Sequence, residues 1–176
     1  MNSEHAPIGI AAWCVRGPTP ACPSKRSRPI EIVLYDDIVS IDLGPVFGEH
    51  EADFGRTFVI GEDPDQTRLR DDLPILFRTC RSAYLATPEM SGADLFARVL
   101  QECATRGDGF GGAHAGHLVG KFPISNEERD ASRNRIRPDN PVPMNAPDWE
   151  SQTRYWILEI HLLHASGTFG GFTKTG

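Results

Sequence analysis

Five side chains of this sequence belong to types that bind metal ions or move protons, and their positions are costly for such groups. Asp42 and Asp53 stand eleven positions apart in IVSIDLGPVFGEHEADFGRTF, residues 38–58. His114 and His117 lie in GDGFGGAHAGHLVGKFP, residues 107–123, and Glu159 lies inside RYWILEIHLL. A carboxylate on an apolar strand is expensive to desolvate unless something compensates it. Two carboxylates that meet across a hairpin repel each other unless a cation or a proton lies between them, and a metal ion is the obvious cation. Three hard oxygen donors and one imidazole suit a divalent ion such as manganese, cobalt, iron or zinc, or a pair of ions sharing bridging carboxylates. The plainer alternatives are aspartates solvated on the open face of a hairpin and histidines in structural hydrogen bonds. The His114–His117 spacing resembles half of a zinc-finger pair, but no cysteine pair precedes it.

The elements that would carry these groups follow from periodicity. In the first strand Ile38, Ser40 and Asp42 share a face. In the second, Asp53, Gly55, Thr57 and Val59 do, and Gly44, Pro45 and Gly48 supply turn residues between the two. The strand reading extends back through EIVLYDDIVSIDL with a break near Tyr35-Asp36-Asp37. After the turn GEDPDQ a helix begins, with Asp65 as N-cap and Leu69, Leu73, Ile75, Leu76 and Phe77 as its apolar stripe, kinked or restarted at Pro74. Ser91 caps a second helix whose Leu95, Val99 and Leu100 face the core, and Gly107 closes it. Cys80 and Cys103 read as buried small hydrophobes. The six glycines of residues 107–123 require close backbone approach or unusual angles, and HLVGKF reads as a short strand. Residues 124–153 read as polar loop with a solvated surface, extended at PDNPVPM. In the last unit Tyr155, Ile157, Glu159, His161 and Leu163 share a face opposite Trp156, Leu158, Ile160 and Leu162. A hairpin at Gly167 then leads into a return strand.

A chain of 176 residues supports one domain with a real core. Its net charge of −6 argues against a nucleic-acid partner, no apolar run is long enough for a membrane span, and no secretory signal is read. Residues 1–29 read as a poorly structured arm rich in proline, serine and basic residues, with IGIAAW as a short strand at most. A Cys14–Cys22 disulfide is one option, and a reduced, cytoplasmic chain is the simpler one.

The motifs DLGPVF with Asp42, EADFGRTF with Asp53, HAGHLVG with His117 and WILEIH with Glu159, in that order, resemble the pita-bread metallopeptidases. These are the methionine aminopeptidase, aminopeptidase P, prolidase and creatinase group, and the likeness is closest to bacterial Xaa-Pro aminopeptidase-type proteins. It covers roughly residues 30–172. It implies an incomplete α+β pita-bread fold, a partial catalytic domain over residues 30–176: a curved antiparallel sheet with helices outside and the acids inside. It also implies an aminopeptidase that cleaves the N-terminal residue of peptide substrates with a metal-held hydroxide. Carried over, Asp42, Asp53, His117 and Glu159 are metal ligands and Asp53 bridges. Glu159 is also catalytic, acting near the nucleophile, and His114 is a second catalytic residue that is not a required ligand. Manganese is the first expectation among the metals, normally two ions per site. Three departures bear on this. The family's bridging Glu on the final strand has no counterpart in Thr173-Lys174-Thr175-Gly176. FPIS puts Ile124 where a substrate-facing His belongs. The family's N-terminal histidine is unrecognisable, with Cys14 loosely in its place. One ion or none is therefore the alternative metal content, and a truncated, catalytically inactive remnant or binding module is the alternative function. Sheet edges exposed by such a truncation would favour pairing into a homo-oligomer.

Overall fold

A computed structural model describes residues 33–47, 50–119, 131–147 and 151–175. The N-terminal arm, the IGIAAW strand, the two N-terminal cysteines and Ile124 lie outside these residues.

The chain opens with β1 (Ile38–Leu43), then a small hairpin of β2 (Val46–Phe47) and β3 (His50–Glu51), then β4 (Phe54–Val59). Two helices follow, α1 (Pro64–Ala86) and α2 (Gly92–Thr105). After them come β5 (Gly109–Phe110), β6 (Gly116–Leu118), a 3₁₀ turn at Ser132–Asn134, β7 (Trp156–Leu163) and β8 (Gly170–Thr175). The main sheet runs β1-β4-β8-β7-β5 with β6 also on β7, and its pairings are antiparallel. The expected break at Tyr35-Asp36-Asp37 is a turn, with Asp36 at φ 70°.

Helix α1 starts two residues earlier than the sequence suggested. Asp63, not Asp65, is the N-cap: its side chain accepts the Gln66 amide at 2.9 Å, and Pro64 fills the first turn, where its missing N–H costs nothing. Pro74 sits inside the helix, which runs through it as one element. Packing against the sheet holds the helix where propensity alone would break it. Ser91 caps α2 as expected, in a capping box with Asp94. Two stripe residues are misplaced by periodicity: Ile75 is 43% and Leu100 42% exposed. The buried stripes are Leu69, Leu73, Leu76 and Cys80 on α1 and Leu95, Phe96, Val99 and Cys103 on α2.

These stripes meet Leu158, Ile160 and Leu162 of β7 in one core. Glu159 and His161 alternate with those residues and so point to the other face of the sheet. The segment 131–147 is not merely solvated loop. Ile136, Asn140 and Met144 are fully buried, and the Asn140 amide donates to the Arg135 carbonyl at 2.8 Å. The loop is anchored by Trp156, whose indole donates to the Met144 carbonyl.

Candidate metal centre

The antiparallel register brings the acids together. Asp42 of β1 lies opposite Gly55 of β4, Gly55 opposite Lys174 of β8, and Lys174 opposite Glu159 of β7. Directly opposed residues of antiparallel strands project to the same face, so one row across the sheet reads Asp42, Gly55, Lys174, Glu159. Asp53 immediately precedes β4, two residues from Gly55, and joins the same face. Gly55 keeps the row open. A Cβ there would collide with the Phe172 ring and come within 2.8 Å of Lys174 Cγ, so the lysine stem lies over the glycine.

His117 arrives from β6, which pairs with β7 so that His117 stands opposite Ile157. Gly116 makes this possible: its φ is +133°, and a Cβ there would strike the Ile157 carbonyl. This is one close approach that the glycine density foretold. His117 Nδ1 lies 3.1 Å from the Leu118 carbonyl, to which it can only donate. That contact turns Nε2 toward the acids, 3.2 Å from Asp53 Oδ2 and 3.3 Å from Glu159 Oε1. Ligand atoms of Asp53, His117 and Glu159 all lie within 4.8 Å of one another. An imidazole with one nitrogen fixed by a carbonyl and the other facing two carboxylates fits a divalent ion.

Asp42 stands apart from these three. Lys174 Nζ lies 2.8 Å from Asp42 Oδ1 and also contacts Asp53 Oδ1. Asp42 and Asp53 do have a cation between them, and it is an ammonium supplied by the chain. Burial nonetheless raises the Asp42 pKa, outweighing the lysine. Burial works against the charge on Lys174, but Asp53, Glu159 and Asp42 outweigh it and hold the ammonium above its usual range.

Histidines surround the other end. Burial opposes the charge on Glu159, yet hydrogen bonds from His117 and His161 hold its pKa well below the ordinary value. Burial would lower the His117 pKa, but Asp53 and Glu159 together raise it to about 10. His161 Nε2 lies 3.2 Å from Glu159 Oε2, and its ring stacks on Phe172. His114 Nδ1 is 4.0 Å from Glu159 Oε2. Burial drives the His114 pKa down to about 4, with Arg135, which donates to Nε2, adding to the effect.

His161, Arg135 and Lys174 carry parts of this site that sequence reasoning did not assign. The signal for His161 was present, because it stands two residues after Glu159 on the same strand face. Arg135 gave none, being fixed by the fold of a long loop.

The architecture and this site together define an α+β domain of pita-bread type with a cluster suited to a divalent ion. The profile of metallopeptidase family M24 matches residues 5–146, well over half of the chain, and the chain belongs to that family. The matched range ends before β7 and β8, so the placement of Glu159 and Lys174 comes from the structure. No curated protein sequence matches the chain significantly. Among solved structures, the chain is similar to a methionine aminopeptidase from Thermotoga maritima, with a TM-score of 0.60 and 15% identity over 80% of this chain and 59% of that one. It is similar to an X-Pro aminopeptidase from the same organism, with a TM-score of 0.57 and 18% identity over 90% of this chain and 41% of that one. It is also similar to the N-terminal domain of the FACT complex subunit SPT16 from Cicer arietinum (TM-score 0.61, 12% identity), covering 90% of this chain and 37% of that one. The chain thus spans less than two thirds of each of these structures, and at such identities the likeness is one of fold.

Proposed function

We propose that this chain is a metal-dependent, aminopeptidase-like hydrolase of Xaa-Pro type that holds one divalent ion, manganese first among the alternatives, on Asp53, His117 and Glu159. The observation that carries this reading is the convergence of those three side chains, with His117 Nε2 aimed between two carboxylates. A bound divalent ion supplies Lewis acidity toward a peptide carbonyl and lowers the pKa of water. The chain's own residues do the rest. Glu159 Oε2, between His161 and His114, is placed to accept a proton near the reacting carbonyl. His114, held neutral with Nε2 accepting from Arg135, keeps its ring beside Glu159 without adding a charge there. No helix among the described residues is long and apolar enough to cross a membrane. The free, buried thiols of Cys80 and Cys103 suit a reducing cytoplasm.

A second reading is a peptide-binding module that keeps the fold without turnover, and Lys174 favours it. An ammonium beside Asp42 and Asp53 opposes the accumulation of positive charge that a two-ion centre needs. Metal content of the purified chain after incubation with manganese, cobalt or zinc and desalting, followed by assay on Xaa-Pro dipeptides, separates the two. Metal with cleavage supports the hydrolase, and metal without cleavage supports the binding module. Unchanged metal content in Asp53→Ala would sink the ligand assignment.

A further inference from the structure

The face that carries the acids is charge-balanced for one divalent ion. Its carboxylates are Asp42, Asp53 and Glu159, and its fixed cation is Lys174. Three negative charges against one positive leave two, the charge of a single divalent ion with His117 neutral. A second divalent ion would leave this partly buried face with a net positive charge, which desolvation penalises.

The geometry agrees with this count. Lys174 occupies one oxygen of Asp42 and one of Asp53, while the other Asp53 oxygen faces His117. The lysine is held along its length. Its Cα is fixed between Gly55 and Glu159 by the sheet, its stem fills the gap left by Gly55, and its side chain is only 11% exposed.

We infer that the Lys174 ammonium is a permanent occupant of the cation position between Asp42 and Asp53, so that this chain excludes a second ion, and that a carboxylate at position 174 would convert the site into a two-ion centre. This deepens the one-ion reading above and rests on it for the absolute count. A Glu side chain at this register position would point at the same two aspartates. It would replace a repelling charge by a ligand, giving four carboxylates and one imidazole for two divalent ions, again electrically balanced.

The test is a manganese titration of wild type and Lys174→Glu, read by elemental analysis after desalting and by electron paramagnetic resonance. Isolated manganese gives a six-line spectrum, and a carboxylate-bridged pair gives an exchange-coupled one. The expected result is one isolated ion in wild type and two coupled ions in Lys174→Glu. The inference rests on the difference between the proteins, and the one-ion reading rests on the wild-type count. A gain in Lys174→Glu over a metal-free wild type upholds the inference and removes the reading. Two ions in wild type, or equal counts in both proteins, overturn the inference. If Lys174→Glu does not fold, Lys174→Met decides. Removing the ammonium should tighten the first ion by about tenfold or more, and unchanged affinity overturns the inference.

Discussion

The two ends of the acidic face are neutralised by different chemistry. At the Asp42 end the compensating charge is Lys174, a fixed cation locked by strand register. At the Glu159 end it is His117, an imidazole whose proton can leave, with the His161 ring hydrogen-bonded to the same carboxylate. A metal ion can replace a proton on His117 at little cost, because the imidazole then offers a lone pair to the ion. It cannot replace Lys174 in that way, since the ammonium offers no lone pair to the ion. The same number of acids can therefore be exchangeable at one end and closed at the other. An acidic cluster alone does not foretell metal content; the kind of cation already present decides it.

Three predictions test this contrast, beginning with the largest. Asp53 touches both cations, so Asp53→Ala should lower metal affinity by about a hundredfold or more, since it removes one of three candidate ligands. Asp42→Ala should leave affinity within about tenfold, because Asp42 faces the lysine. Calorimetric titration of both variants checks this, and equal losses would erase the distinction between the ends. Next, Lys174→Met strands two acids in a partly buried row and should destabilise the metal-free protein by about 1.5–3 kcal/mol, read from urea unfolding in chelator. A loss below about 1 kcal/mol would mean that the acids are compensated by solvent. Third, ion binding must displace a proton from His117 below its raised pKa of about 10. At pH 7 about one proton should be released per ion, measurable as the dependence of binding heat on buffer ionisation enthalpy. Zero release would show that His117 is already neutral.

Legibility in the sequence divides along the same line. The strand faces were readable, because period-two alternation placed Glu159 opposite Leu158 and Ile160, and the helix cores at Leu69, Leu73 and Val99 followed from spacing. The errors there were local. Ile75 and Leu100 are exposed because each stands beside the stripe and not on it, and Asp63 won the cap because Pro64 suits the first turn. Across the sheet, by contrast, sequence distance conceals contact. Asp42 and Lys174 meet only because β4 and β8 pair in one register. The sequence did show that a cation was needed between Asp42 and Asp53, but it could not show that Lys174 fills that need. The tail after FGGF presented itself as a missing carboxylate, whereas the structure shows an ion pair in its place.

The smallest effect sets two histidines three residues apart against each other. His117, raised to about 10 in the metal-free protein, contributes stability that is fully present below the unfolded value near 6.5 and is lost as pH climbs toward about 10. His114 has the opposite sign. Burial holds it neutral with a pKa of about 4, beside Arg135, Glu159, His117 and His161. Between about 6.5 and 4 the unfolded chain binds a proton that the folded site refuses, so stability falls as pH falls through that window. Glu159, held below its ordinary value, adds its own loss only at more acid pH, and Lys174 titrates above the range of interest. The metal-free protein should therefore be most stable near pH 6.5. His114→Asn should flatten the acid side by about 1–2 kcal/mol across the window while leaving the alkaline side in place, and His117→Asn should do the reverse. Urea midpoints measured in chelator from pH 4 to 9 give both limbs. An acid limb that survives His114→Asn unchanged would make the neutral imidazole irrelevant to stability.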